Sequence, residues 1–381
     1  MLALKAVFWF SGFMAAYPYS GYLAVLWVCS QFTGKKQRDA GTSKAFEPKV
    51  TLIVSAYNEE KVIEDKLANS IALDYPKSKL EITVVSYGST DSTDEIVKRY
   101  AANGVILRRF EGRLGKTACL NRAVAAAGGE IIIFSDANSR YDPAAVRRLA
   151  AHFDDERIGF VTGSTKYVGN GAIGDSVGFY SRIEKMTKTL ETRTGSCVGA
   201  DGAIFAVRKK LIMPLKDSDI NDLVIPLGVV RQGYAGVLEP NAFCVEDTAG
   251  SAEGEFNRQV RITARTLKAI FSNADLLNPV RFGFFSFKIL SHKILRLMAP
   301  FFMLAFLITS AALIREGWFY SAIFAAQLLF YSLALVERAM PNGARLFSLP
   351  YTFSSVHAAI LMGWIKYLKG ETFVTWAPTK R

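Results

Sequence analysis

Histidine is scarce in this chain: there are three in 381 residues, His152, His292 and His357. A histidine-rich zinc centre or a Ser-His-Asp hydrolase is therefore poorly supplied. The four cysteines, Cys29, Cys119, Cys197 and Cys244, stand far apart, with no metal-ligand or disulfide-framework spacing. Free thiols in a reducing compartment fit that pattern. There is no internal repeat and no low-complexity segment. Acid is in short supply too: 34 Asp and Glu face 46 Lys and Arg, for a net charge of +12. Such an excess suits nucleic acid or anionic lipid. Its placement favours lipid, because the basic residues gather beside apolar segments, as Lys35-Lys36-Gln37-Arg38 and as Lys288, Lys293 and Arg296. A nucleic-acid partner is not expected; membrane lipids are.

Hydrophobic residues make up 50% of the chain, but unevenly. Residues 6–32, AVFWFSGFMAAYPYSGYLAVLWVCSQF, are free of charge and exceed the roughly 20 residues that cross a bilayer. The run is too long for a signal-peptide core. Lys35, Lys36 and Arg38 follow at once, which puts the downstream domain in the cytoplasm. Pro18, with Gly12 and Gly21, predicts a kink. Phe284–Met298 mixes aromatic with basic residues and reads as a helix lying in the headgroup layer. Candidate spans follow at 298–314, 318–336 and 349–368. Charge leaves the topology inconsistent, since three further crossings put Lys369, Lys380 and Arg381 outside.

The middle of the chain alternates strands with helices. Strands are expected at 50–55, 80–86, 105–109, 131–135, 158–168, 203–208 and 235–238. Helices are expected at 59–71, 92–103, 116–127, 142–153, 175–193, 222–232 and 255–271. Asp142 is a candidate N-cap, with Pro143 at the first helical position. This alternation predicts an α/β domain with a largely parallel sheet and right-handed crossovers. The strand Ile131-Ile132-Ile133-Phe134-Ser135 ends in Asp136-Ala137-Asn138. Ligands of open α/β sheets lie beyond the carboxyl ends of the strands. A carboxylate and an amide oxygen there can hold a hard cation and, through it, a diphosphate.

Other candidates flank this point. Val54–Glu60 leaves the first strand with Tyr57, able to stack on a base, and Glu59, able to accept from ribose hydroxyls. Ser86-Tyr87-Gly88-Ser89-Thr90-Asp91-Ser92-Thr93 leaves the second, where helix capping alone explains most residues. Gly112-Arg113-Leu114-Gly115-Lys116-Thr117 is not a P-loop, because Phe110 stands where the first glycine is required. Arg113 and Lys116 can still meet phosphates as point charges. Asp217-Ser218-Asp219-Ile220-Asn221-Asp222 is more acidic than capping needs, and one acid could be a general base. Chemistry alone leaves Asp217, Asp219 and Asp222 open.

In combination these motifs resemble the family 2 glycosyltransferases, membrane enzymes with a cytoplasmic GT-A domain that include cellulose, chitin and hyaluronan synthases. The resemblance covers about residues 48–272. Val54–Glu60 is similar to the nucleotide-binding first turn, Ser86–Thr93 to the xDGSTDxT turn, and Asp136-Ala137-Asn138 to the metal-binding D-x-D. Asn221-Asp222, Pro226 and Gln232-Gly233-Tyr234 resemble the segment carrying the catalytic base. The resemblance implies that Ala56, Tyr57 and Glu59 contact the nucleoside, with Tyr87 and Lys116 at the donor. Asp136 and Asn138 would hold Mg²⁺ or Mn²⁺, and Asp222 would deprotonate the acceptor in a single-displacement, inverting transfer. Gly199-Ala200-Asp201-Gly202 resembles the small-residue loop under the donor sugar, with Asp201 an added acid there. Arg258-Gln259-Val260-Arg261-Ile262 stands where processive synthases carry Q-x-x-R-W, and Arg261 alone matches. Tyr87 replaces the usual Asp, and Asn221 the first acid of the catalytic pair.

The expectation is thus an N-terminal transmembrane segment at 1–38, a GT-A domain at 48–272, and an interfacial helix with transmembrane segments and tail at 282–381. The protein would be integral to the plasma (inner) membrane. It would move a sugar, from a UDP-sugar by the resemblance, to a polysaccharide or lipid-linked acceptor. Four spans are few for a polymer pore, so a processive synthase would need a homo-oligomer or an assembly partner. A catalytically weak scaffold is the other alternative, on account of Tyr87.

Overall fold

The computed structural model describes residues 1–33, 46–112, 115–168, 172–247, 252–339, 345–371 and 373. Lys35, Lys36, Arg38, Arg113, Lys380 and Arg381 lie outside the described residues.

Eight strands form one sheet: β1 (Val50–Ala56), β2 (Leu80–Ser86), β3 (Val105–Arg109), β4 (Ile131–Asp136), β5 (Arg140–Tyr141), β6 (Ile158–Val168), β7 (Phe205–Arg208) and β8 (Ala235–Asp247). Their order is β3-β2-β1-β4-β7-β6-β8-β5. The half that carries the nucleotide motifs, β3-β2-β1-β4, is parallel throughout. The sheet as a whole is mixed, because β7 runs antiparallel to both neighbours and β5 antiparallel to β8. The parallel half is apolar on both faces. Leu52 and Val54 of β1 pack with Ile63 and Leu67 of the helix Ile63–Ile71 on one face. Ile53 turns the other way, to Cys119 and Leu120 of the helix Lys116–Ala126. Side chains alternate along a strand, so helices on both faces require this unbroken apolar run.

Several boundaries differ from expectation. The helix after β4 begins at Ala145, not Asp142. The Asp142 carboxylate closes the turn instead, accepting from the Ala144 N–H at 3.1 Å. β8 runs far beyond Leu238, to Asp247, because its second half pairs with β6 from Ser164 to Val168.

The expected interfacial helix at 284–298 is not a separate element. Helix continues from Phe284 through a π-helical stretch, Ile289–Ile294, to Ala312. Its basic residues turn inward rather than toward lipid phosphates. His292 sets Nδ1 2.7 Å from Glu191 and Nε2 3.3 Å from Glu184, Arg296 reaches Glu184 at 3.1 Å, and Lys288 donates to the Glu191 and Ser196 carbonyls. Both acids stand on the helix Ala172–Arg193.

Phe284–Ala312 and Trp318–Ala339 are long and apolar enough to cross a membrane. The N-terminal helical run, 2–32, carries a π-helical insert, Tyr17–Gly21, at Pro18, where the missing N–H breaks the regular ladder. Gly12 serves close packing: a side-chain carbon there would lie 2.8 Å from the Phe306 ring. Tyr22 of this run donates to Glu191 at 2.8 Å, tying it to the helix Ala172–Arg193.

Candidate functional site

The turns leaving β1 and β2 hold each other. Asn58 adopts a left-handed backbone, φ 54°, which asparagine tolerates better than most residues. Its side-chain oxygen accepts from the Thr90 N–H at 2.8 Å. The Glu59 N–H donates to Thr93 Oγ1 at 2.8 Å, the Glu60 N–H to Asp91 at 3.1 Å, and the Ser92 N–H to Glu60 at 3.1 Å. Asp91 and Thr93 thus tie the two turns together, while the helix Thr93–Arg99 has no side-chain cap at its N-cap residue, Ser92, contrary to the capping expected of this segment. Ala56 is fully buried, and its carbonyl accepts from the Tyr87 N–H at 3.3 Å. Tyr57 and Tyr87 stack, with ring centroids 5.6 Å apart and planes 12° from parallel. Burial holds the Tyr87 hydroxyl well above its ordinary pKa, and the nearby Asp136 and Glu59 carboxylates add to the shift. The residue that replaces the usual acid is a neutral hydroxyl beside two acids.

Asp136 ends β4 next to this pair. The Lys116 ammonium, at the first turn of Lys116–Ala126, lies 2.6 Å from its carboxylate. The turn Asp136–Ser139 is held from below by Lys66, which lies outside every motif named above. Lys66 is fully buried, donates to the Ser139 carbonyl at 2.6 Å and lies 4.0 Å from the centre of the Tyr141 ring. Burial pulls its pKa down to about 8. The signal was present: on the helix Ile63–Ile71, Lys66 occupies the same face as Ile63, Leu67 and Ser70, all buried. Ser139 in turn donates its hydroxyl to Glu246, whose carboxyl burial and Asp136 push up to about 7. Among the described residues no three His, Cys, Asp or Glu gather at metal-ligand distance. Asp136 and Asn138 offer oxygen ligands suited to a hard cation, with the remaining positions open to phosphate oxygens and water.

The acidic cluster sorts itself by burial. Asp217 is exposed. Asp219 is buried, and its carboxylate accepts from the Lys216 N–H at 2.8 Å, closing the turn. Asp222 lies in the first turn of the helix Asn221–Arg231, against the 199–202 loop. Its carbonyl accepts from the Ala200 N–H at 2.8 Å, and a side-chain carbon on Gly202 would come 2.9 Å from its Oδ2. Burial raises the Asp222 pKa, opposed first by Lys116 and then by Arg265 and Lys293. A raised carboxyl pKa suits proton abstraction.

Two other candidates sit differently. The Asp201 carboxylate accepts from the Thr165 N–H and hydroxyl, both at 2.9 Å, and from the Ala203 N–H at 3.2 Å, so it holds the loop together. Arg261 belongs to a cationic row on the helix Ala252–Ser272, between Arg258, paired with Glu255, and Arg265, which donates to the Ser218 and Asp219 carbonyls. Burial and these two neighbours lower its pKa.

Residues 51–213 match the model of glycosyl transferase family 2. The chain is 25% identical over 271 residues to the poly-beta-1,6-N-acetyl-D-glucosamine synthase of Staphylococcus aureus, covering 66% of this chain and 64% of that one. It is 34% identical over 202 residues to a probable glycosyltransferase, YdaM, of Bacillus subtilis, covering 49% and 48% respectively. The chain thus spans less than two thirds of the length of these curated relatives. The fold is similar to that of the mannosyltransferase PcManGT from Pyrobaculum calidifontis, solved with GDP-Man and Mn²⁺: the TM-score is 0.73, over 97% of this chain and 99% of that one, at 22% identity. With the parallel β3-β2-β1-β4 half-sheet, the paired turns and the aspartate at the end of β4 in place, residues 51–213 are a region similar to glycosyl transferase family 2, and the fold is of the GT-A kind.

Proposed function

We propose that this protein is a membrane-bound, divalent-metal-dependent inverting glycosyltransferase that moves a sugar from a nucleotide-sugar, of UDP type, to a polysaccharide or lipid-linked acceptor. The observation that carries the reading is the position of Lys116. It touches Asp136 at 2.6 Å and is also the strongest positive charge acting on Asp222. The acid proposed for the diphosphate side and the acid proposed for the acceptor side therefore both lie within electrostatic reach of one cation, an arrangement that suits a sugar carbon held between them for a single displacement.

In this reading Tyr57 and Tyr87 bound the nucleobase pocket. Asp136 and Asn138 hold Mg²⁺ or Mn²⁺, which stabilises the departing diphosphate when bound. Lys116 neutralises charge at the same end. Asp222 takes the proton from the acceptor hydroxyl, its basicity set by burial. The domain would lie at 48–272, facing the cytoplasm, with Phe284–Ala312 and Trp318–Ala339 in the plasma (inner) membrane. The polymer-synthase relative keeps processive synthesis as a second reading.

The test is nucleoside diphosphate release by the purified chain with Mn²⁺ or Mg²⁺, over a panel of nucleotide sugars, with and without membrane lipid extract, beside Asp222→Asn. Release with one donor, lost in the variant, supports the reading. No release with any donor from folded protein overturns it in favour of a scaffold.

A further inference from the structure

The sequence predicts a span at 349–368. Phe284–Ala312 and Trp318–Ala339 have the length and apolarity of a crossing, but the helix Arg345–Leu368 is not among such helices. It lies instead alongside Ala252–Ser272 for most of its length. Tyr351 and Ser355 share a cavity wall with Glu255 and Phe256. A side-chain carbon on Gly363 would meet Thr263 at 2.6 Å, and Tyr367 stacks on Phe271 with ring centroids 5.6 Å apart. That neighbour is no membrane helix. It carries Glu253, Glu255, Arg258, Arg261, Arg265 and Lys268, and its Arg265 donates to the Ser218 and Asp219 carbonyls. If Arg345–Leu368 crossed the bilayer, this charged row would enter the hydrocarbon with it, which is costly.

The two faces of Arg345–Leu368 differ. His357, Ile360 and Gly363 are buried, and the Trp364 indole donates to the Leu297 carbonyl at 2.9 Å. The opposite face presents Ala358, Met362, Ile365 and Leu368, at the spacing i, i+4, i+7 and i+10. All four are exposed, the last three by 40, 45 and 75%. No charge interrupts this stripe before Lys369.

The path of the chain identifies what covers it. Lys5 pairs with Glu316 at 3.0 Å, so the N-terminal run starts beside the turn between the two candidate spans. At the other end of that run, the Thr33 hydroxyl donates to the Arg193 carbonyl at 3.0 Å, on the domain side. Trp318–Ala339 starts at the first of these ends and returns the chain to the second. We propose that Arg345–Leu368 does not cross the bilayer but lies along its domain-side surface, with Ala358, Met362, Ile365 and Leu368 sunk into the lipid of that leaflet. The inference rests on the membrane-bound reading above. Three crossings, at 2–32, 284–312 and 318–339, leave Lys369 on the domain side, where basic residues are favoured. The buried face of the helix then seats Ala252–Ser272, and through Arg265 the turn that precedes Asp222, at the lipid surface.

The test uses the full chain in bacterial membranes. Lys369→Cys, Arg315→Cys in the turn between the spans and Asp217→Cys in the domain are all substitutions at exposed positions. Each is treated with a membrane-impermeant maleimide in inverted and in right-side-out vesicles, and the unsubstituted chain gives the background. Lys369→Cys should label with Asp217→Cys, several-fold more in inverted vesicles, and Arg315→Cys in the opposite kind. Labelling of Lys369→Cys on the side of Arg315→Cys overturns the proposal. A nitroxide on Ile365→Cys, in nanodiscs of phosphatidylethanolamine and phosphatidylglycerol, should sit in lipid but shallower than one on Leu329→Cys within the span Trp318–Ala339. A label at Ile365 in water, or as deep as that at Leu329, also overturns it. Release of the chain by alkaline carbonate would sink the membrane-bound reading itself, and this inference with it.

Discussion

Lys116 and Asp136 form a 2.6 Å ion pair although they are 20 positions apart, because the helix that Lys116 opens begins, and the strand that Asp136 closes ends, at the same end of the parallel half-sheet. The Asp136 side chain is 39% exposed, so the pair is screened by solvent and worth less than about 1 kcal/mol to the fold. Lys116→Ala should leave the melting temperature nearly unchanged while lowering kcat/KM at least tenfold. Calorimetry beside diphosphate release separates the two. Chelation with EDTA should likewise stop turnover without unfolding the protein.

Asp222→Asn should lower kcat by about 10²–10⁴, the span of a positioned general base. A base must be deprotonated to act. Burial raises the Asp222 pKa, so the acid limb of the wild-type pH–rate profile should fall at a higher pH than an ordinary aspartate gives. The profile of kcat against pH checks this; an acid limb at or below the ordinary aspartate range would contradict it. Gly202→Ala should mimic the loss, since its added carbon would come 2.9 Å from Asp222 Oδ2.

Tyr87→Asp, which restores the residue usual in the family, should not rescue anything in isolation. The ring is 7% exposed and stacked on Tyr57, and Asp136 and Glu59 lie close enough to act on its hydroxyl. The change removes the stack and buries a third acid. A loss of about 2–4 kcal/mol is expected in denaturant unfolding. Tyr87→Phe should be nearly neutral to folding.

Lys66→Met removes the donor to the Ser139 carbonyl beneath Asp136 and Asn138. It should weaken the apparent affinity for Mn²⁺ more than it changes kcat at saturating metal. The folded pKa of Lys66, about 8, lies below its ordinary 10.5, so between those values the unfolded chain binds the extra proton and stability rises with pH. The stabilisation is complete above 10.5 and lost as pH falls through 8. Lys66→Met should lack this component of the stability profile.

Glu191→Ala should cost about 3–5 kcal/mol, because a fully buried carboxylate is removed from Tyr22, His292 and the Val198 N–H at once. Tyr22 lies in the N-terminal run and Val198 just before the 199–202 loop. Limited proteolysis should therefore find the N-terminal run loosened from the domain.

Much of this protein was written locally. Unbroken apolar runs such as 131–134 can be satisfied only as strands covered on both faces, and turn-forming residues end them, so the order of strands and helices follows from neighbours a few positions apart. The edge of the sheet where the motifs gather, with Asp136 and Asn138 at the end of β4, follows from parallel pairing. Tertiary structure decided what depends on distant partners. In sequence Asp217, Asp219 and Asp222 are equivalent acids; the exposure of one, the turn closed by another and the loop packed on the third distinguish them. The basic residues of 284–298 read as a lipid-facing surface, because a charge is normally solvated unless paired. Their partners, Glu184 and Glu191, lie about a hundred positions earlier, and only the packing of two helices brings opposite charges together out of water.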